Sequence, residues 1–307
     1  MHMVFRHLSQ LNLQLVLRSK KKLLTMKTRI LHIVLLFLCC LSCNTEDDQI
    51  QNPDTQGKNM LLIGNSFFKP YAQNLDALVV NAGIDGHTST LIFRGGENGR
   101  PINFWNDSDS PEHQQIKSTL ERGNVDFFGM TAGLLPENPI DGFKQWIDYA
   151  VEHNPDVVIF LSIPSIDFPE NWDQLAEDNG FSSIHELYHS FVNHTIHAVL
   201  VDQLRAEFPS TQIFTIPTGW ATINLAQMHL DNELLDDIAM FGPKPTSIFT
   251  DTKGHQGQIA IETGTLIWLN SLYKIDLESN RYNTGFNTDL HALAKTIMDE
   301  HDSNYKQ

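Results

Sequence analysis

The sequence predicts an α/β domain, a three-layer α/β/α sandwich in which helices cover both faces of a mainly parallel sheet. Between residue 59 and about residue 274, apolar β-branched segments alternate with longer amphipathic segments, which is the pattern of βαβ units. The roughly 250 residues that follow the first 42 are enough to bury one large core. All three cysteines lie before residue 44, so packing is expected to hold this domain without disulfides.

The predicted strands are short and rich in β-branched or aromatic residues, and the predicted helices between them are longer. The strands are residues 60–63, 88–93, 125–130, 157–162 and 212–216. The helices are residues 71–82, 112–121, 141–152, 184–207 and 256–272. Residues 276–307 form a C-terminal extension with one more amphipathic helix over about residues 289–299.

The first 42 residues predict an export signal. They hold seven of the 21 basic residues and no acid, since the first acidic residue is Glu46. Lys27 and Arg29 precede an apolar run, residues 30–38, that is too short to span a bilayer but suits the core of a secretory signal. Residues 1–42 are therefore expected to be a leader, with Met26 as the true start.

The end of this leader resembles a bacterial lipoprotein cleavage box. Residues 40–43 read Cys-Leu-Ser-Cys, with the small Ser42 just before Cys43, the cysteine that would be lipidated. A plain signal peptide cut near Ser42 is the alternative. Residues 43–57 are nearly without apolar side chains and predict a flexible tether. We expect a cell-envelope lipoprotein, periplasmic or on the outer-membrane surface, that meets the membrane only through its lipid anchor.

Charge and motifs exclude several classes of partner. After residue 42, 14 basic side chains stand against 37 acidic ones, a formal charge of −23. Such a surface repels phosphate backbones, so no nucleic-acid partner is expected. Neither a Gly-x-x-x-x-Gly-Lys phosphate loop nor a Gly-x-Gly-x-x-Gly fingerprint occurs, and no cofactor is expected.

The segment Gly64-Asn65-Ser66 follows the first predicted strand and runs into a helix. A serine at that junction can be exposed at the carboxyl end of the sheet, with its N–H near a helix N-terminus that can stabilise an oxyanion. The alternative is that Ser66 is only a helix cap and Gly64 only a turn.

A second segment lies directly before the last large apolar helix. It reads Asp-Thr-Lys-Gly-His over residues 251–255. A histidine beside an aspartate can act as the base for a serine, oriented by the carboxylate. The alternative is an ordinary helix start, capped by Asp251, with His255 on a solvated face.

Together the two segments resemble the SGNH, or GDSL-like, hydrolase superfamily, over roughly residues 58–275. The resemblance implies a flavodoxin-like sheet, with Ser66 as nucleophile, His255 as general base and Asp251 as the orienting acid. The order of the segments argues against the α/β-hydrolase fold, which needs a mid-chain Gly-x-Ser-x-Gly that is absent here.

The resemblance also implies an oxyanion hole. It would combine the N–H of Ser66, the glycine at Gly95 or Gly96 after the second strand, and Thr131 where the family has asparagine. Asp251 lies four residues before His255, where three is usual. The hydroxyl of Thr131 can donate one hydrogen bond in place of the amide.

A competing motif, His185-Glu186-x-x-His189, fits the zinc-peptidase pattern His-Glu-x-x-His on a predicted helix. Glu207 would supply the third ligand and Glu186 the general base. The alternative is a histidine-rich solvated face, because the same helix continues with further histidines, His194 and His197.

The sequence thus favours a serine ester hydrolase that acts on acetyl esters of a polysaccharide or on a small-molecule ester. Aromatic residues near the serine and in a long insertion tilt the substrate towards carbohydrate, because sugar rings stack on such side chains; they are Phe67, Phe68, Tyr71, Phe93, Phe104, Trp105 and Trp172. A non-catalytic glycan-binding lipoprotein on the same fold and a zinc peptidase are the alternatives.

Overall fold

The central sheet has five parallel strands. The computed structural model describes residues 56–133 and 138–307. The strands are β1 (Asn59–Gly64), β2 (Thr88–Phe93), β3 (Phe127–Thr131), β4 (Val158–Ser162) and β5 (Ile213–Ile216). They lie in the order β2-β1-β3-β4-β5, and each neighbouring pair is parallel. The predicted α/β class with a mainly parallel sheet is confirmed.

Helices pack on both sides of this sheet, which confirms the three-layer arrangement. They are α1 (Lys69–Asn81), α2 (Pro101–Asn106), α3 (Pro111–Leu120), α4 (Phe143–His153), α5 (Trp172–Asp178), α6 (Ile184–Ser190), α7 (Asp202–Glu207), α8 (Trp220–Leu230), α9 (Gln258–Tyr273) and α10 (Leu290–Glu300). α1, α8 and α10 pack against α9, whereas α2, α3 and α7 pack against α4.

Burial on both faces explains why the strands are continuous apolar runs. Met60 through Ile63 of β1 are fully buried, because successive side chains point to opposite faces and helices cover both. α9 is apolar around most of its circumference for the same reason, since nearly all of its residues are buried.

The strand order brings the loops after β1, β2 and β3 to one edge of the sheet. β1 lies between the other two, with Gly64 opposite Phe93 and Ile63 opposite Met130. The chain goes from β1 to one neighbour and returns on the other side. This reversal is a topological switch point, the place where open α/β sheets bind ligands.

Several features depart from the predicted elements, among them three helices that were not predicted, α2, α5 and α8. The helix predicted over residues 184–207 is one continuous helical segment, but Phe191–Val201 in its middle is wound as π-helix. Two three-residue strands that were not predicted, β6 (Ala239–Phe241) and β7 (Ser247–Phe249), form a separate parallel pair. β7 leads directly into the loop that carries the predicted acid and base.

The C-terminal extension packs against the domain. α10, which matches the predicted helix, lies on α9, and His301 bonds the hydroxyl of Thr215 in the edge strand β5 at 3.0 Å. The carboxylate of Asp236 accepts the N–H groups of Asn287 and Thr288, each at 2.9 Å, just before α10.

Several predictions fall on other parts of the chain. The leader over residues 1–42, the lipidation of Cys43 and nearly all of the tether lie outside the described residues. Among the helices that are described, none has the length and apolar character needed to cross a bilayer.

Candidate active site

Ser66 lies on the turn that joins β1 to α1. The ring of Phe68 packs on Gly64, where an added Cβ would lie 2.5 Å from it, so this position requires glycine. Asn65 closes the turn: its carbonyl accepts the N–H of Phe68 at 3.2 Å, and its side chain accepts the N–H of Phe67 at 3.0 Å. The side chain of Asn65, not that of Ser66, therefore bonds the backbone of the turn, no side chain caps α1, and the hydroxyl of Ser66 is left for another partner.

His255 lies in a closed loop between β7 and α9. The N–H of Thr250 donates to the carbonyl of His255 at 2.7 Å, which joins the two ends of the loop. Gly254 has a φ of +100°, in the left-handed region that favours glycine. The N–H groups of Gly254 and His255 both reach Oδ1 of Asp251, at 3.1 and 3.2 Å. The loop thereby holds the carboxylate against the imidazole across a four-residue spacing.

His255 bridges Asp251 and Ser66. Its Nδ1 lies 2.6 Å from Oδ2 of Asp251, and its Nε2 lies 2.8 Å from Oγ of Ser66. Because an ionised carboxylate only accepts, Nδ1 carries the proton and Nε2 accepts the hydroxyl proton of Ser66. The ring of Phe67 stacks on the imidazole with centroids 5.1 Å apart, which fixes the plane of the base. The structure thus brings together the three residues that the resemblance named.

Asp251 is ionised at neutral pH. Partial burial opposes its ionisation, but hydrogen bonds from the side chain of His255 and from the N–H groups of His255 and Gly254 outweigh burial and hold the pKa of Asp251 below its usual range. A charged carboxylate beside Nδ1 stabilises the imidazolium that forms when His255 takes a proton.

Backbone N–H groups beside the serine are free to bind an oxyanion. Within residues 56–133 and 138–307, the N–H groups of Ser66, Gly95 and Gly96 have no hydrogen-bond acceptor. A Cβ on Gly95 or Gly96 would meet nothing within 4 Å, so the backbone there faces open space. Gly99 fixes this loop next to the serine turn, because a Cβ on Gly99 would lie 2.7 Å from the Cα of Asn65.

Thr131 does not present a free donor in this geometry. Its side chain is 2% exposed, and its hydroxyl donates to the carbonyl of Ala132 at 3.1 Å. The expected role of Thr131 as a side-chain donor to an oxyanion therefore has no support in this geometry.

The loop that contains Phe168 and Pro169 borders His255, and the sequence did not predict this contact. The N–H of Phe168 donates to the carbonyl of Lys253 at 3.0 Å, and the ring of Pro169 packs on Gly254. No local pattern could have paired these segments, which are more than 80 residues apart. The sequence also did not predict that Phe67 stacks on His255 or that Gly254 turns the histidine loop, although both stand next to predicted site residues.

Most of the aromatic residues expected near the site belong to the core. The buried ones are Phe67, Phe68, Tyr71 and Phe104. Trp172 in the insertion is also buried, at 5% exposed: its Nε1–H donates to the carbonyl of Ile166 and its ring packs edge-on against Phe249. Its ring therefore anchors the insertion to the core and is not free to stack on a sugar.

The residues of the zinc-peptidase motif have other partners. Glu186 accepts the N–H of Ser182 at 3.0 Å, as a residue that caps α6. Glu207 pairs with Lys144 at 3.4 Å. His185 and His189 are exposed, as expected of a solvated face. Within the described ranges, no three His, Cys, Asp or Glu side chains are grouped to hold a metal ion, so the zinc alternative has no geometric support.

Comparison with known proteins adds two distant structural likenesses. No protein-family model matches this chain, and no curated protein matches its sequence. The periplasmic domain of a lipopolysaccharide acetyltransferase from Salmonella ser. Paratyphi A is similar at a TM-score of 0.35 and 14% identity, over 54% of this chain and 68% of that one. Another crystal structure is similar at a TM-score of 0.38 and 10% identity, over 69% of this chain and 94% of that one. Both likenesses are too weak to bear on function, which must be argued from the site.

Proposed function

We propose that this protein is a serine ester hydrolase in which Ser66 forms an acyl-enzyme. The observation that carries the proposal is the unbroken chain of hydrogen bonds from Asp251 through His255 to Ser66, with spacings of 2.6 and 2.8 Å. A nucleophile within reach of a base that is itself oriented by a third group is the arrangement that activates a serine.

The reaction follows from these positions. Oγ of Ser66 attacks the carbonyl carbon of the ester while Nε2 of His255 takes the hydroxyl proton. The N–H groups of Ser66 and of Gly95 or Gly96 bind the oxyanion that develops on the carbonyl oxygen. As the C–O bond breaks, His255 returns its proton to the leaving alkoxide, which departs as an alcohol.

A water molecule completes the cycle. It attacks the acyl-Ser66 carbonyl while Nε2 of His255 takes a proton from it. Collapse of the second tetrahedral intermediate breaks the bond to Oγ of Ser66, which regains a proton from His255, and the carboxylic acid leaves.

Acetyl esters of a polysaccharide are the proposed substrate, and the proposed location is the cell envelope, with Cys43 as the lipidated residue. The excess of acidic side chains after residue 42 disfavours anionic lipids and nucleic acids as substrates. Gly95 and Gly96 have no side chains, and the space beside them is open, so nothing there would block a polymeric ester from the proposed oxyanion site.

Hydrolysis of p-nitrophenyl acetate and labelling by a fluorophosphonate test the proposal with the purified protein. We expect activity and labelling in the parent, and a loss of both by at least about 10³-fold in Ser66→Ala and His255→Ala. His189→Ala is the matched control, because it removes an exposed histidine of the zinc motif and should change neither readout. A chelator should also have no effect.

Two other outcomes would contradict the proposed serine mechanism. If the parent neither turns over nor labels at Ser66, the proposal is wrong and glycan binding without catalysis is the alternative to test. If the activity depends on His189 and is lost to a chelator, the zinc-peptidase motif carries it instead.

A further inference from the structure

We propose that Phe168 determines the substrate specificity of this site: its exposed ring is a platform for the sugar ring of an acetylated carbohydrate, beside the carboxylate of Asp167. The inference rests on the esterase function proposed above and concerns the alcohol side of the ester.

Phe168 lies at the border of the site. Its N–H donates to the carbonyl of Lys253 at 3.0 Å, and the next residue, Pro169, packs on Gly254. Lys253 precedes His255 by two residues, which span at most about 7 Å of chain. The ring therefore starts from a backbone position next to the catalytic base.

The conformation of Phe168 is costly and its exposure is unusual for an apolar ring. Its φ and ψ of 58° and 64° lie in the left-handed region, which a bulky residue rarely adopts and which a following proline disfavours further. The side chain is nevertheless 48% exposed. Burial of apolar surface therefore does not explain why the ring is held there.

The rest of the loop keeps the ring in place. Trp172 anchors the segment through its Nε1–H bond to the carbonyl of Ile166, at 3.1 Å, and its packing on Phe249. Backbone strain that is held by surrounding contacts concentrates at ligand sites, where it presents a side chain in a fixed position.

Asp167 indicates the class of ligand. Its Oδ2 lies 3.6 Å from Nζ of Lys253, and burial raises its pKa while Lys253 opposes that rise. This contact places the carboxylate beside the histidine loop, which carries Lys253 two residues before His255.

An aromatic face beside a carboxylate fits a neutral polyhydroxylated ring. The C–H face of a sugar packs on Phe168 while its hydroxyls donate to Asp167. A long apolar chain would cover the Asp167–Lys253 pair without offering either group a hydrogen bond, and the formal charge of −23 after residue 42 disfavours a phosphate. A sugar is therefore favoured over a lipid.

The test compares two acetyl esters that differ in the alcohol. Glucose 6-acetate has a ring that can stack on Phe168 and hydroxyls that can donate to Asp167, and ethyl acetate has an alcohol too small to do either; both release acetic acid, which a pH-stat records. The quantity of interest is the ratio of kcat/KM for glucose 6-acetate to that for ethyl acetate.

Phe168→Gly separates the ring from the backbone strain, because glycine adopts the left-handed conformation without cost. We expect the ratio to fall about tenfold, mainly through KM for glucose 6-acetate, while the melting temperature is kept or raised. Phe168→Tyr keeps an aromatic ring at this position and should therefore keep the ratio of the parent protein. Leu230→Ala, which removes an exposed apolar side chain at the end of α8, should leave the ratio unchanged.

A purely conformational role for Phe168 predicts instead that Phe168→Gly keeps the parent ratio, and that result would overturn the inference while leaving the esterase intact. Equal losses on both esters would also overturn it, because the ring would then act on catalysis and not on the alcohol. A parent that hydrolyses neither ester would remove the proposed function and this inference with it.

Discussion

Replacing Asp251 with asparagine tests whether a carboxylate four residues before the base can serve the proposed triad. An asparagine in the same position can still accept the N–H groups of Gly254 and His255 through one oxygen, so the loop is expected to persist. Its NH₂ group would then face Nδ1 of His255 and donate to it. The imidazole proton would move to Nε2, where it faces Ser66 and prevents His255 from acting as a base.

The size of the effect follows from the exposure of the pair. With the two charge centres about 4 Å apart, the attraction between Asp251 and an imidazolium amounts to about 1 kcal/mol in water and about 4 kcal/mol at an effective dielectric constant of 20. The side chains of Asp251 and His255 are 48% and 32% exposed, which favours the lower half of that range. Loss of the charge alone therefore costs about 5- to 30-fold in rate.

The unproductive tautomer of His255 adds to the loss of rate in Asp251→Asn but not in Asp251→Ala. Asp251→Ala leaves Nδ1 to water, so the productive tautomer stays accessible and a loss of about tenfold is expected. Asp251→Asn stabilises the unproductive tautomer, and we expect a loss of about 10²–10³-fold, less than the roughly 10⁴-fold known for a buried triad.

The assay is kcat/KM for p-nitrophenyl acetate near pH 7.5, with the melting temperature as a check on folding. In a His255→Ala background, neither change at Asp251 should reduce the residual rate further, because the carboxylate acts only through the imidazole. Equal rates for Asp251→Asn and the parent would refute the reasoning and leave Asp251 as a residue that only closes the loop, and equal rates for the asparagine and alanine variants would refute the tautomer argument.

Three further predictions concern Thr131, the carboxylate of Asp236 and the two buried histidines His197 and His301. Thr131→Val should keep esterase activity within about threefold, because the hydroxyl already donates to a neighbouring carbonyl; steady-state kinetics that show a loss near the 10²–10³-fold typical of a removed oxyanion donor would contradict this. Partial burial opposes ionisation of Asp236, but hydrogen bonds from the loop before α10 hold its pKa below the usual value. Asp236→Ala should therefore cost about 1.5–3 kcal/mol of unfolding free energy at pH 7. Urea denaturation should show that this difference is fully present above pH about 4 and is lost at lower pH, as Asp236 protonates in the folded protein. Burial lowers the pKa of His197 to about 3 and that of His301 to about 4, so both are neutral in the fold. Below pH about 6.5 the unfolded chain binds more protons, and stability should fall by about 2 kcal/mol per histidine at pH 5; a His197→Gln variant that is as acid-sensitive as the parent would contradict this.

The fold was predictable because its strands and helices are long enough to carry a pattern. The helices on both faces bury all sides of β1, so its residues form an uninterrupted apolar run that stands out from the amphipathic helices around it. β6 and β7 were missed because three residues show no alternation, and their order depends on tertiary contacts with helices α8 and α9.

The site was predictable only in part, for a similar reason. Ser66 follows a recognisable strand and His255 precedes a recognisable helix, whereas the loop with Phe168 and Pro169 contacts the histidine loop across more than 80 residues of sequence. The hydrogen bond of Thr131 was also not predictable, since a sequence cannot show that its hydroxyl donates to the carbonyl of Ala132.

Asp251 shows why spacing in a motif is only a substitute for geometry. A triad requires a carboxylate oxygen within hydrogen-bond distance of Nδ1, whatever number of residues separates the two side chains. Here the bond between Thr250 and His255 closes the loop, and Gly254 turns the chain so that Oδ1 binds two N–H groups while Oδ2 meets the imidazole. The extra residue is taken up by a backbone conformation that glycine adopts readily. The departure from the usual spacing is therefore no argument against catalysis, because the structure holds the carboxylate at hydrogen-bond distance from the Nδ1 that it would orient.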